Sequence, residues 1–453
     1  MKRIARIAGI ILVMAACFFS GLVFEKAKTL KRQLQYLNQG AKPADKGNVS
    51  GRWYKSRKQI DGGRSQEENL EKLGTLPYLK GYAASKSAAD GVVTYDPDRA
   101  FSGATLFCSG HAPVVLLIDM EGNILHSWTV RFEDVWPDPL PFPAAKEHKQ
   151  FIRKGHLYPD GEILCLFEYI GIVKLDKDSN ILWRHTGQNH HDIQVSREGQ
   201  IYTLGRVEKN MREYPQAPFA LQRVFDDLVL VLDAHGNEIK RISLFDAFYR
   251  SDHAGFLNFI RNPKDLFHTN SVQLVEEPPK NKGGLFQPGD LLVSIRDLHA
   301  IALIDGRSER VKWALTGMWY AQHQSFLLDN GNILLLDNRG GNRGSYFELN
   351  RSKVIEVDPL TQQIQWEYSS DKEGKELFYT HWLGYNQRLP NGNTLITDSE
   401  SGRAFEVTKE GEIVWEFINP HRSGDDQSLV ATLYELIRLD PESLPFLNDA
   451  PQP

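Results

Sequence analysis

The sequence predicts an all-β fold: a six-bladed β-propeller closed by a C-terminal strand and preceded by an N-terminal transmembrane helix. Three observations lead there. Five segments end in an aliphatic-rich strand bearing Trp, namely NILHSW, NILWRH, RVKWAL, QIQWEY and EIVWEF, and a sixth, LVLVLDAHGNEIKRI, keeps the pattern without it. Hairpins such as YPDGEILCLF, SREGQIYTL, LDNGNILLLD and LPNGNTLITD precede these units. Their Asp-Gly, Asn-Gly and Glu-Gly pairs supply the positive φ that a tight turn needs. Units of three or four short antiparallel strands, repeated at roughly forty to eighty residues, form a ring, because radial closure protects edges that a linear array would expose.

In chain order, Lys2, Arg3 and Arg6 precede an apolar run from Ile7 to Phe24. At 1.5 Å per residue this run just crosses a hydrocarbon core. No clean small-x-small cleavage site follows, so residues 1–24 read as an uncleaved signal-anchor and the bulk of the chain as exported. Residues 25–80 are charged and polar and read as a stalk and linker; residues 81–453 carry the propeller. The C-terminal stretch Ala431 to Glu442 alternates apolar residues and is assigned to the first blade, which lacks an innermost strand.

The net charge of -5 on 453 residues gives no reason to expect nucleic acid. Three cysteines, Cys17, Cys108 and Cys165, form no CxxC or His/Cys cluster, so no metal is assigned. Cys108 and Cys165 read as buried free thiols. The recurring Trp residues read as core.

The histidines carry the functional signal. His156, His191, His268, His323 and His381 each stand near the start of an expected inner strand. Inner strands line a propeller's central channel, so these imidazoles are expected to form a ring at one mouth. A metal ring, a structural set bonding neighbouring backbones, and an oxyanion site all remain open. The stretch Gln322 to Arg343, QHQSFLLDNGNILLLDNRGGNR, favours the last by adding Arg339 and Arg343. A guanidinium suits a face of three oxygens, as on sulfate or phosphate.

FHTNSVQL, LLVSIRDLHAIALIDG, VKWALTG and QHQSFLLDNGNILLLDNRGGNR, in that order, resemble the arylsulfotransferases of the bacterial periplasm. The resemblance spans residues of about 80 to 447. It implies a six-bladed propeller that moves a sulfuryl group from a phenolic sulfate donor to a phenol acceptor, with no nucleotide cofactor. It also implies channel-mouth histidines and an arginine, one His being transiently sulfated. His268 and His323 match channel histidines, and Arg343 matches the arginine, with Arg339 in the competing register. The nucleophile is expected in the last blades, where His381 is the imidazole available. His191, Arg339, Trp319, Tyr320 and Asn338 are assigned to substrate binding. The aromatic insertion Leu244 to Phe267 reads either as a lid over the phenol rings or as a satellite core. The alternative function is a non-catalytic, membrane-tethered propeller that binds an anionic, sulfated ligand.

Overall fold

A computed structural model describes residues 53–55, 89–144, 147–217, 219, 222–339, 351–369, 378–424 and 427–449. Six antiparallel sheets are arranged as blades. Blade 1 runs, from the inside outward, Leu433–Leu439, Ala104–Ser109, Val114–Ile118 and Ile124–Thr129. Blade 2 is Lys154–Leu157, Ile163–Phe167, Gly171–Leu175 and Ile181–Thr186, and blade 3 is His190–Val195, Ile201–Asn210, Arg223–Leu232 and Glu238–Ser243. Blade 4 is Thr269–Leu274, Leu291–Ile295, Ala300–Ile304 and Val311–Thr316. Blade 5 is His323–Leu327, Ile333–Asp337, Lys353–Val357 and Ile364–Ser369. Blade 6 is Tyr385–Arg388, Thr394–Asp398, Arg403–Val407 and Ile413–Ile418, with Gly91–Tyr95 as a fifth, outermost strand.

Two expectations need correction. Closure by one C-terminal strand is not what joins the ring: no sheet closes on itself, and both ends of the described chain take part. Leu433–Leu439 pairs with Ala104–Ser109 inside blade 1, while Gly91–Tyr95 pairs with Ile413–Ile418 outside blade 6. The second correction concerns the transmembrane helix. No helix among the described residues is long and apolar enough to cross a membrane, and residues 1–24 lie outside them. A separate three-stranded sheet of Trp53–Lys55, Leu429–Ala431 and Arg422–Ser423 was not anticipated.

The sequence repeat has a local cause. In the turns between third and fourth strands, Asp119, Asp176 and Asp233 accept the backbone N–H two and four residues on, and their second oxygen accepts from Asn123, Asn180 and Asn237. Such side-chain turns fix the hairpin without a partner strand. In blades 1, 5 and 6 the outer-strand Trp then ties the blade to the next. Trp128 Nε1–H donates to Gly161 O, Trp366 to Lys409 O and Trp415 to Met120 O, at 2.8 to 2.9 Å. Trp128 and Trp415 are fully buried. Blade 3 lacks the Trp, and there Lys240 Nζ reaches Gly306 O at 3.2 Å.

The insertion after blade 3 resolves to core. Ser243 caps the helix Leu244–Tyr249, and Leu244, Phe245 and Phe248 are buried in one cluster with Val272, Leu291 and Val293 of blade 4. Cys108 and Cys165 are buried free thiols on either side of Gly155, where a Cβ would lie 3.6 Å from Cys108 Sγ.

Neighbouring inner strands share no ladder, so side chains link them. Asp192 accepts Val272 N–H, Gln273 accepts Leu327 N–H, Asn270 donates to Gln322 O, and Gln387 accepts Arg438 N–H. Blades 1, 2 and 3 meet at Lys154, whose Nζ pairs with Glu435 and lies 3.0 Å from Asp192, all nearly inaccessible to solvent.

Candidate functional site

The starts of the inner strands and the turns after the second strands lie at the same end of the wheel. There the inner strands are irregular. The ladders shift register between His190 and Ile193, Thr269 and Ser271, His323 and Phe326, and Leu433 and Glu435. His191, His268 and Gln324 take positive φ of 60°, 49° and 44°. Non-glycine residues reach that region only when their surroundings hold them there, which is common at sites that aim a side chain.

His191 and His323 stand beside Arg153, and His268 packs against His191. A narrow cleft, about 10 Å³ in volume, is lined by Arg153, Lys154, His191, Asn270, His323 and Tyr434, among others. The His191 and His268 rings meet edge to face at 5.1 Å. Arg153 lies over the Tyr434 ring at 5.2 Å and stands 3.6 Å from Glu168.

Burial and the partners of these rings set their protonation. Asn338 is fully buried, and its Nδ2 donates to Thr380 O at 2.9 Å and Leu383 O at 2.7 Å. Its Oδ1, 2.7 Å from His323 Nδ1, must therefore accept. His323 thus carries its proton on Nδ1 and leaves Nε2 bare. Burial, with help from the charges of Arg296, His268 and Arg153, lowers its pKa well below the usual value. His268 is the opposite case. Burial alone would lower its pKa, but Asp265, whose Oδ2 is 2.6 Å from His268 Nδ1, outweighs it and the net shift is upward. The carboxylate favours the charged form of one ring, while burial makes its neighbour a neutral base. His191 is driven well down by burial and then by His190, His268 and Arg153.

The remaining assigned residues fall as follows. His381 sits where its N–H bonds Glu400, its Nδ1 is 2.7 Å from Tyr379 Oη, and its ring meets Trp382 edge-on at 4.9 Å. Trp319 is in the core shared by blades 4 and 5 with Phe286, Leu292 and Leu315, a packing position. Tyr320 stacks on His299 at 3.9 Å. Arg339 Nε lies 3.4 Å from Asp337 Oδ2, and Arg343 falls outside the described residues. Asn338 acts on His323 rather than lining the cleft. His156 lies two residues past the cleft-lining Lys154, its pKa lowered to about 4 by burial.

Arg153, Lys154, His190, Asp227 and Asp265 escaped the sequence reading. The RK pair directly before Gly155-His156, and the Asp three residues before His268, were the available signals. For a metal, Asp265, His268 and Asp297 each bring one ligand atom within 4.8 Å of the others. Those atoms are already engaged, Asp265 with His268 and Asp297 with Arg296 at 2.6 Å.

The family model for arylsulfotransferase (ASST) matches residues 157–420. No curated protein matches this chain. Among solved structures, a protein of unknown function from Bacteroides caccae is similar at 13% identity and a TM-score of 0.46, covering 73% of this chain and 99% of that one. Virginiamycin B lyase from Staphylococcus aureus is similar at 12% identity and a TM-score of 0.39, covering 76% and 97%. The WD40 β-propeller domain of Doa1 is similar at 13% identity and a TM-score of 0.40, covering 78% and 95%.

Proposed function

This chain belongs to the arylsulfotransferase family, and from that premise we propose that it moves a sulfuryl group from a phenolic sulfate to a phenol at the cleft around His323. The observation that carries the reading is the bare Nε2 of His323, held by Asn338 Oδ1 behind the ring. A buried neutral imidazole with its lone pair free is a nucleophile at any ordinary working pH. We assign the covalent step to His323 in preference to His381, whose ring is engaged with Tyr379 and Trp382.

His323 Nε2 attacks sulfur, the S–O bond to the phenol breaks, and sulfo-His323 carries the group until a second phenol takes it. Charge grows on the sulfuryl oxygens and the departing oxygen in that passage. His268, kept cationic by Asp265, and Arg153 stand beside the cleft to stabilise it. Donors placed before the reaction act there at no reorganisation cost. We place the propeller outside the cytoplasm on the strength of that family membership; protease added outside sealed cells should digest it, and protection would place it inside.

The test is to incubate the full chain with a chromogenic aryl sulfate and quench it. Mass spectrometry is expected to find the sulfuryl adduct on His323, and His323→Ala to abolish adduct and transfer together. An adduct on His381 would overturn the assignment; no transfer with any aryl sulfate would overturn the function.

A further inference from the structure

His190 has no part in the scheme above, yet its setting is the most constrained in the molecule. It is fully buried, and its Nδ1 lies 2.9 Å from His191 Nδ1. Its Nε2 has no hydrogen-bond partner and faces Asp227 Oδ1 at 3.8 Å. Asp227 is also buried, with its second oxygen accepting Thr269 N–H at 2.7 Å. Two imidazoles joined Nδ1 to Nδ1 must share one proton between those atoms. Whichever ring donates fixes the outer nitrogen of both.

We propose that Asp227, His190 and His191 form a proton relay that protonates the leaving phenol oxygen and takes the proton back from the acceptor phenol. The proposal rests on the sulfuryl-transfer reading. In the loaded state Asp227 carries the proton toward His190 Nε2, His190 Nδ1–H donates to His191 Nδ1, and His191 Nε2–H points into the cleft that His191 lines. As the S–O bond breaks, His191 Nε2 gives its proton to the phenolate. His191 Nδ1 takes the proton of His190, His190 Nε2 takes that of Asp227, and the charge comes to rest on Asp227. The acceptor phenol reverses each move when its oxygen attacks sulfo-His323. No proton is gained or lost over the cycle. The 3.8 Å step is long, and contacts of this kind tighten when substrate binds.

The surroundings suit a parked proton. Around Asp227 stand His190 on its own blade, Arg206 on the paired strand, Asp265, His268 and the Thr269 N–H from the start of blade 4, and Glu168 and Tyr169 from blade 2 beside His190. Burial, and after it the charge of Asp265, pushes Asp227 up to about 7. Burial holds His190 down at about 4, so it passes a proton without keeping one. His268 stays out of the exchange because Asp265 keeps it charged.

Asp227→Asn tests the relay in the full chain. The amide keeps the bond to Thr269 but cannot give up a proton. A poor leaving group depends on protonation far more than a good one, so two donors separate the roles. Transfer from phenyl sulfate is expected to fall about 10²- to 10³-fold, and at least tenfold further than transfer from 4-nitrophenyl sulfate. Equal losses on both donors would mark Asp227 as structural and overturn the relay, as would no loss on either. Nitrogen NMR of the wild type reads the same claim without turnover. The His191 Nε2 signal is expected to move from protonated to bare as pH rises through about 7, and to stay fixed in Asp227→Asn. A signal fixed in both overturns the relay. A wild type with no transfer from either donor overturns the sulfuryl-transfer reading instead, and the relay is then decided by the NMR.

Discussion

Asn338→Asp exchanges one atom behind His323 and inverts the chemistry of the ring. Burial holds wild-type His323 neutral against the small upward pull of the amide, and the neighbouring His268 displays the alternative, because Asp265 on its Nδ1 raises its pKa in an equally dry setting. A carboxylate at 338 places His323 in the condition of His268, with a folded pKa above the ordinary 6.5. The neutral fraction at pH 5.5 then falls to about one tenth or less, where the wild type remains neutral throughout. Sulfo-enzyme formation in Asn338→Asp is therefore expected to be at least tenfold slower at pH 5.5 than at pH 8, beyond any slope in the wild type. The same change removes the N–H donors to Thr380 O and Leu383 O. At about 1 kcal/mol for each lost bond, stability falls by roughly 2 kcal/mol. The assays are the burst of phenol release against pH and urea unfolding at pH 8. An Asn338→Asp acid limb identical to the wild type, with the protein folded, would refute the claim that a carboxylate at 338 outweighs the burial of His323.

Three further outcomes follow from the same contacts. His268→Ala removes the paired cation and is expected to slow transfer about 10²- to 10³-fold at saturating donor, measured as kcat. Lys154→Met leaves Glu435 and Asp192 buried without their cation, which costs about 3–5 kcal/mol in urea unfolding, and adding Glu435→Gln should recover part of it. Stability should also fall between pH 6.5 and pH 4. Eight histidines (His111, His156, His185, His190, His191, His299, His323 and His421) have folded pKa values below 6.5, so the unfolded chain binds protons there that the folded chain does not. His268, Asp226, Asp227, Asp337 and Glu435, shifted upward, work in the opposite direction over part of the interval but are fewer. A urea midpoint at pH 4.5 equal to that at pH 7 would contradict this balance.

The blades were legible because their turns are made locally. Asp-x-x-Gly-Asn, with Ser179 in place of the Gly in blade 2, closes its own hairpin, and the outer-strand Trp recurs from blade to blade, so composition and spacing carry the architecture. The cleft was legible only in part because its strands break the two-residue alternation on which such a reading depends. A register shift between His190 and Ile193, and again between His323 and Phe326, moves side chains across the strand face. In blade 2 the ladder is regular and His156 shares a strand face with Lys154, but the cleft takes Arg153 and Lys154 at the start of the strand. The long-range partners left no trace. Nothing in the spacing of Asp227 and His190, or of Asn338 and His323, announces that they meet. The strand Gly91–Tyr95 is five residues in a polar stretch, too short for periodicity to detect.

The inner strand of blade 1 leaves the ribosome after the strands of the other five blades. Until Leu433–Leu439 is made, Ala104–Ser109, buried along its whole length in the finished wheel, has an open ladder on its inner side. Vectorial synthesis can complete the middle blades in turn, but the first must wait for Leu433–Leu439. A product cut short before Leu433 is then both unfinished and adhesive, offering an apolar edge to any strand nearby. Leu433–Leu439 thus acts as a checkpoint for the whole ring.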